Sequence, residues 1–503
     1  MSFDSLLERL RGLAYTWVDT EHPAELIARR LEIVREASGG LVQVLRGVDP
    51  LAVRTFENRL FISSRLVVAI ASSGAGHPEG RSLARRVHLV RMAAVDLAAQ
   101  ATRIAIGVVF ALRYRAVRPP PEARIVCGFG PPALMVAGQV RTAFPDAALA
   151  LVLFPNADHG SQRAMATAPD MPRCFLPAGY SLLGLARCIG GFLTEVPRLL
   201  AFAATRKWGG YLAAVHCLTA LELAAERRRC QLLAEARPRA IYAADDADYL
   251  AAYRATLLRR RQVAVVGMMH GIGVYGPNVG YSAYCVWGRY FEDLYRRNLW
   301  HGRESLRVTG TPLASLSPPP EGSGTAVAIL LQPECSRNSR ADLTKMIGEV
   351  CRWAASQPRP LTVICALHPR AGRVEADQVQ ACLRAMPARC EVVTGIRGLA
   401  PHLPALVAAV TNFSTAGLDL IQSGCPVYFR CGGTRALVPV AEYVPECHCR
   451  EPGELNRGLT GIALDPRKRL AFLAEEQKAV QEMYSPFDPV ALQNEASRPL
   501  ATV

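Results

Sequence analysis

Two hydroxylated residues, Ser414 and Thr415, stand where an apolar run changes into a helix-like pattern in the stretch VTNFSTAGLDL. If LVAAVTN is a strand and AGLDLIQSG a helix, both side chains lie at the helix N-terminus. Unpaired backbone N–H groups and the positive end of the helix dipole meet there. Small neighbours and two hydroxyls suit a bound phosphate group. A plain Ser/Thr N-cap explains the same residues without a ligand, and the stretch alone leaves both interpretations open.

A histidine at a second strand end favours the phosphate interpretation. The buried-strand pattern LTVICAL leads directly into His368, Pro369 and Arg370. In an open parallel sheet the carboxyl ends of the strands border the ligand crevice. An imidazole can donate a hydrogen bond to a departing phosphate, and a guanidinium adds charge-assisted hydrogen bonds. We therefore expect His368 to share one sheet edge with Ser414 and Thr415.

Another histidine, His270, follows the strand pattern QVAVVGM and opens a glycine-rich loop that includes Gly271 and Gly273. The ordinary pKa of an imidazole lies near neutrality, so His270 could act as a general base toward an acceptor hydroxyl. The loop could close over the acceptor. A core histidine beside a flexible loop is the alternative.

The elements around these residues alternate between strands and helices. After a helical region at 1–116, the patterns RIVCGFG, PPALMVAGQVRTAF and AALALVLFP read as strand, helix and strand, which is typical of a parallel sheet. A linker rich in Pro and Gly at 318–324 precedes a second alternating series. The predicted fold class is α/β, with two doubly wound units facing a cleft and extra N-terminal helices. The predicted domains are 117–317 and 325–484, followed by a tail at 485–503.

Composition places the chain among globular proteins. It has 503 residues, half of them hydrophobic, and 58 Lys and Arg against 43 Asp and Glu give a net charge of +15. This surplus suits phosphate-bearing ligands or an anionic membrane face, although a generally basic surface explains it equally well. The arginine runs lack interleaved aromatic residues, so we expect no nucleic acid partner. Fifteen scattered cysteines and an N-terminus without a signal-like apolar core lead us to expect a cytoplasmic protein.

The most apolar long window, at 93–112, is interrupted by Asp96, Gln100 and Arg103. These interruptions argue against a membrane-spanning helix. We expect the window to pack in the core. A helix lying against a membrane surface is the alternative, since Arg113 and Arg115 adjoin the window.

The order of the motifs MMHG, VWG, VTGTP, LHPR and STAGLDLIQSGCPVYF resembles that of GT-B glycosyltransferases of bacterial surface polysaccharide synthesis. Within these enzymes, the motifs resemble those of the polysialyltransferase, Kdo transferase and teichoic-acid glycerophosphotransferase groups. The resemblance spans residues 240 to 430 and hardly touches the first 120. It implies a GT-B architecture and an enzyme of bacterial capsular polysaccharide biosynthesis. We also expect the basic N-terminal helical region to hold the protein near the inner membrane surface.

The resemblance also implies roles for individual residues. His270 would be the catalytic base, with Asp245 and Asp246 as alternatives, although here Ala247 stands where polysialyltransferases have a glycine after the acidic pair. The acceptor-side loop would contain Gly271 and Gly273. The donor phosphate would be bound by His368, Pro369, Arg370, Asn412, Ser414, Thr415 and Ala416, together with Gly310 and Thr311 of VTGTP.

The expected reaction is transfer of a sugar from a CMP- or UDP-activated donor to a glycan or glycolipid acceptor. Asp246 and Asp248 match the Asp-x-Asp metal pattern of GT-A enzymes, but we interpret them as a helix N-terminal turn. We expect no metal and no cofactor. Two alternatives remain open. One is an enzyme similar to UDP-sugar 2-epimerases, and the other is a non-catalytic GT-B-like scaffold or sensor.

Overall fold

The structure is a computed structural model. It describes residues 24–44, 49–72, 83–113, 117–128, 130–153, 172–176, 182–206, 208–244, 248–269, 271, 276–312, 324–332, 340–368, 371, 373–412, 416–430 and 440–498. Four of the described helices precede the first sheet: α1 (Ala24–Val44), α2 (Pro50–Ser63), α3 (Arg65–Ser72) and α4 (Leu83–Arg113). They share a hydrophobic cluster with later helices, so the N-terminal helices pack on the rest of the protein.

The first sheet has seven described strands, all parallel. They are β1 (Arg124–Gly128), β2 (Leu149–Leu153), β3 (Arg173–Phe175), β4 (Ala240–Ala244), β5 (Val265–Met268), β6 (Ala283–Val286) and β7 (Leu306–Val308). The described connecting helices are α5 (Gly130–Ala143), α6 (Leu182–Thr205), α7 (Gly209–Glu235), α8 (Ala251–Arg259) and α9 (Arg289–Asn298). The spatial order of the strands is β3-β2-β1-β4-β5-β6-β7.

The second sheet has six described strands, also parallel. They are β8 (Ala326–Leu330), β9 (Thr362–Leu367), β10 (Cys390–Thr394), β11 (Leu406–Thr411), β12 (Val427–Arg430) and β13 (His448–Cys449). The helices among them are α10 (Arg340–Ala355), α11 (Arg373–Arg384), α12 (Gly395–Leu399), α13 (Ala416–Gln422) and α14 (Val440–Tyr443). The chain ends with α15 (Pro452–Leu464), α16 (Pro466–Met483) and α17 (Pro489–Ser497).

The strand orders confirm the predicted fold class of two doubly wound α/β units. The second sheet follows the order β10-β9-β8-β11-β12-β13, and both sheets start from a central strand and reverse direction beside it. The central strands are buried along their whole length; β4, β8 and β11 have no exposed residue. Continuous apolar runs of this kind are typical of strands covered by helices on both faces.

After the second sheet the chain returns to the first. The backbone N–H of Ser485 donates to the carbonyl of Trp287, just beyond β6 (2.8 Å), and helix α17 then packs on α5. Gly288 allows this return, because a Cβ there would lie 2.0 Å from the carbonyl oxygen of Met483. The segment predicted as a tail therefore contains a helix that is packed on the first sheet's unit.

Helix α4 is unusually exposed. Within the described residues its Arg86–Val109 stretch is long and apolar enough to cross a membrane, a test that the core helices of soluble proteins also pass. Its most apolar window is 28% buried. The face of the helix that contains Ala93 and Ile106 packs in the core, as predicted for 93–112. The opposite face is exposed, so the prediction is wrong for that face.

Candidate functional site

The carboxyl edge of the second sheet brings together His368 and Asn412, two of the residues predicted to bind the donor phosphate. Strand β8 lies between their strands, and Leu330 of β8 is in register with Ala366 of β9 and with Thr411 of β11. His368 and Asn412 therefore follow β9 and β11 at the same level of the sheet, roughly 10 Å apart from the strand spacing. Asn412 is buried and His368 is half-buried.

Ala416 begins helix α13 directly beyond this edge, so the predicted strand-to-helix change at 410–429 is confirmed. The helix approaches β12 closely. A Cβ on Gly417 would lie 3.1 Å from the ring of Phe429, which leaves little room for a larger residue. The first turn of α13 thus packs closely against β12.

Asp419 in the first turn of α13 is an acidic residue close to this edge that the sequence analysis did not single out. Its Oδ1 atom is buried and has no hydrogen-bond partner among the described residues. Burial raises the pKa of this carboxyl from its ordinary 3.8 to about 6. Tyr484 follows α16 directly, and the pKa of its hydroxyl is also raised. Burial is the larger cause, and the charge of Asp419 is the next. An acidic residue inside an apolar helical pattern was the available signal.

Gly310 and Thr311, predicted to bind the donor phosphate, contact the returning chain. The backbone N–H of Thr311 donates to the carbonyl of Ser485 at 2.9 Å, and Thr311 is almost fully buried. Gly310 has a φ of +75°, and a Cβ there would lie 2.0 Å from the carbonyl oxygen of Pro486. This packing gives both residues a structural role, while their part in donor binding stays a prediction.

On the first sheet, Gly271 is buried three residues beyond the end of β5. Trp287 follows β6, and its ring packs against Tyr484 with the centroids 5.8 Å apart. The hydroxyl of Tyr290 on α9 donates to Glu442 on α14 at 3.5 Å. These contacts join the carboxyl ends of first-sheet strands to helices of the second unit.

His270, Asp245, Asp246, Gly273, Pro369, Arg370, Ser414 and Thr415 lie outside the described residues. In the part of the chain that is described, no group of three or more His, Cys, Asp or Glu side chains could hold a metal ion.

Asp248 belongs to a buried ion-pair cluster that the sequence analysis did not foresee. Its carboxylate accepts from Arg103 of α4 at 3.0 Å and from Arg254 of α8 at 3.2 Å. Burial alone would raise the pKa of Asp248, but the two guanidinium groups outweigh burial and hold that pKa below its ordinary value. Its Oδ1 also accepts from the backbone N–H of Leu250. Asp248 therefore lies in the turn before α8, as the helix-turn interpretation predicts.

Two glutamates of α7 complete this cluster. Glu226 accepts from Arg254 at 2.6 Å and from Arg229 at 2.5 Å. Glu222 pairs with Arg59 of α2 at 2.8 Å and also accepts from the Tyr249 hydroxyl at 2.7 Å. The cluster thus joins α2, α4, α7 and α8 through buried charges.

A cavity in the described structure lies away from the His368 edge. It is bordered by α2, by the start of α8 and by the segment before and within β6. Its polar lining includes Asn58, Asp248, Asn278, Tyr281 and Tyr284. Asn58 and Asn278 bond to each other through side chain and backbone at 2.9 and 3.0 Å. The cavity therefore borders the N-terminal helices and does not overlap the candidate donor edge.

No protein-family model matches the sequence, and no curated protein sequence matches it significantly. Solved structures with a similar chain path include the MnaA–UDP co-structure from S. aureus (12% identity, 74% of this chain and 94% of that chain, TM-score 0.44). Another is a UDP-forming α,α-trehalose-phosphate synthase from Burkholderia xenovorans (10% identity, 76% of this chain and 100% of that chain, TM-score 0.43). A third is the lipopolysaccharide outer core galactosyltransferase WaaB in its apo form (11% identity, 74% of this chain and 98% of that chain, TM-score 0.40). At these identities and TM-scores, the similarities assign no substrate and no reaction to this chain.

Proposed function

We propose that the protein is a metal-independent GT-B glycosyltransferase that moves a sugar from a CMP- or UDP-activated donor to a surface glycan or glycolipid. The observation that supports this most directly is the position of His368 and Asn412 at one carboxyl edge of the second sheet. Doubly wound units bind their ligands in the crevice outside that edge. The unit that contains 325–484 would hold the donor, and the unit that contains 117–317 would hold the acceptor.

On the donor side, the reaction needs stabilisation of the negative charge that develops on the leaving nucleotide phosphate. His368 and Arg370 would donate hydrogen bonds to the phosphate from the end of β9. Ser414 and Thr415, which precede α13 in the sequence, would add hydroxyl and backbone donors. One such preorganised donor typically contributes about 3 to 4 kcal/mol to lowering the barrier.

On the acceptor side, a base must take the proton of the attacking hydroxyl. His270 has this role in the proposal, with Asp245 or Asp246 as the alternative base, and the loop with Gly271 and Gly273 would enclose the acceptor. The hydroxyl oxygen forms the new bond to the anomeric carbon as the bond to the donor phosphate breaks. The base keeps the proton until it exchanges with solvent.

The proposal includes a cytoplasmic location at the inner face of a membrane. A net charge of +15 favours an anionic surface, and a glycolipid acceptor would lie in that surface.

The first experiment is thermal unfolding with CMP, CDP, UDP and GDP, on the wild type and on His368→Ala. Ligand at about one hundred times its dissociation constant adds roughly 2.7 kcal/mol of stability. We expect nucleotides with one particular nucleobase to raise the Tm of the wild type. The His368→Ala variant should show no such rise in Tm, and its turnover should be about a hundredfold lower. His402→Ala is the matched control, since His402 precedes β11 at the opposite edge of the same sheet.

The result also separates the alternatives. A folded wild type whose Tm responds to none of the nucleotides would refute the donor site. Consumption of nucleotide sugar without an acceptor would indicate an epimerase. Nucleotide binding without turnover, and unaffected by His270→Ala, would indicate a scaffold or sensor.

A further inference from the structure

The outward face of α4 is apolar over most of its length. Val87, Val90 and Val109 are 59%, 58% and 37% exposed. The other exposed positions between Arg91 and Val109 are all alanines at helical spacing: Ala94, Ala98, Ala101 and Ala105. From Arg91 to Val109 the helix rises by about 27 Å. Exposed apolar surface on this scale, rather than single residues, marks an interaction site.

The charged residues within this stretch point inward. Asp96 is buried and accepts hydrogen bonds from Ser64 (3.1 Å) and Tyr211 (3.0 Å). Arg103 is bound to Asp248 and Glu222. The only acidic side chain of α4 is therefore inside the protein.

The exposed ionisable side chains on the described surface of α4 are basic. Arg86, His88 and Arg91 lie at its N-terminal end, interleaved with Val87 and Val90. A basic end next to an apolar face is the pattern of helices that lie in the interface of an anionic membrane. The arginines would contact lipid phosphates, and the valine and alanine side chains would enter the acyl boundary.

We propose that the outer face of α4 is a membrane-binding surface, with the helix lying in the plane of an anionic bilayer. This inference rests on the proposed membrane location and identifies the surface responsible for it. The helix lies flat and does not cross the bilayer, because Asp96 and Arg103 hold its inner face against α3, α7 and the turn at Asp248. The charges favour lipid over a second copy of the chain as the partner of this face. If two copies packed through α4, the arginines of one helix would find no acidic side chain on the exposed surface of the other.

The test measures binding to vesicles of equal parts phosphatidylglycerol and phosphatidylcholine, and to vesicles of phosphatidylcholine alone. Ala98→Glu combined with Ala105→Glu places two charges on the apolar face at exposed, helix-compatible positions. The control is Leu464→Glu with Leu470→Glu, exposed apolar residues of α15 and α16 with the same change in charge. Arg86→Gln with Arg91→Gln tests the basic end, and Arg467→Gln with Lys468→Gln is its control.

We expect the wild type to bind the anionic vesicles and the alanine variant to bind about thirtyfold more weakly. The Arg86/Arg91 variant should lose a similar factor at low salt and much less at high salt. Both controls should bind like the wild type. Unfolding midpoints equal to that of the wild type would show that the weaker binding does not come from misfolding.

Three outcomes would overturn the inference. If the wild type binds and the alanine variant binds equally well, another surface is responsible and the general membrane proposal stands. If the wild type does not bind at all, the membrane location also falls, while the nucleotide experiment still decides the glycosyltransferase proposal. If the wild type is a dimer that the alanine variant converts to a monomer, with vesicle binding unchanged, a second copy covers this face.

Discussion

Replacing Asp419 with asparagine removes one ionisable group from the first turn of α13 and keeps the size of the side chain. The residue as a whole is half-buried, but its Oδ1 atom is buried and has no hydrogen-bond partner among the described residues; burial raises the pKa of this carboxyl from 3.8 to about 6. That change corresponds to about 3 kcal/mol of preference for the protonated form in the folded protein.

The sign of the pH dependence follows from the direction of this shift. A carboxyl with a raised pKa binds its proton more tightly in the folded than in the unfolded chain, so its contribution to stability is complete below pH 3.8. The contribution is lost as the pH rises through about 6. Asparagine has no such loss. The free energy of unfolding of Asp419→Asn, relative to wild type, should therefore rise by about 3 kcal/mol between acidic and neutral pH.

The assay is thermal unfolding of both proteins from pH 4 to 8, followed as the difference in Tm at each pH. Any constant cost of burying the asparagine amide shifts the whole curve and leaves its shape unchanged. Asp293→Asn, at an exposed position on α9, is the control and should give a flat difference. A flat difference for Asp419→Asn as well, or one that falls with rising pH, would show that the carboxylate is solvated or paired in the folded protein.

Further substitutions test the packing around the site. Gly310→Ala should lower the free energy of unfolding by about 2 kcal/mol or more, because a Cβ meets the carbonyl of Pro486 and φ is positive. A fully stable Gly310→Ala that no longer binds nucleotide would instead support its donor role. Arg254→Met should cost about 3 to 5 kcal/mol, since it leaves Asp248 and Glu226 as buried carboxylates with fewer partners. Arg239→Met breaks only an exposed pair with Glu122 and should stay within about 1 kcal/mol; equal losses for both arginines would contradict the importance of burial.

The fold was predictable where strands are long and apolar, and less so at the sheet edges. Strands such as β9 and β11 have six residues each and are almost entirely buried, so their sequences are continuous apolar runs. The edge strands β3 and β13 have three and two residues, too few to show any periodicity. These short strands form by pairing with strands that are already in the sheet, and the local sequence gives no indication of that pairing. His368 and Asn412 share an edge because each follows a long strand of the same sheet, whereas Ser414 and Thr415, which we expect at that edge, lie outside the described residues.

The buried ion pairs were beyond sequence reasoning because their partners are far apart in the chain. Arg103 and Asp248 are separated by 145 residues, and nothing local to either residue indicates the other. Before the structure, Arg103 simply interrupted an apolar window, and Asp248 was part of an Asp-x-Asp pattern. The contact between them explains why an arginine interrupts the apolar window and why Asp248 is buried.

The same contact determines which face of α4 can be substituted. The inner face of that helix binds the turn that follows Asp245 and Asp246 in sequence, whereas Ala98 and Ala105 on the outer face are exposed. Charges placed on the outer face should therefore weaken membrane binding without disturbing Asp248. Loss of Arg103 should instead destabilise the unit of the first sheet in solution, where no membrane is present.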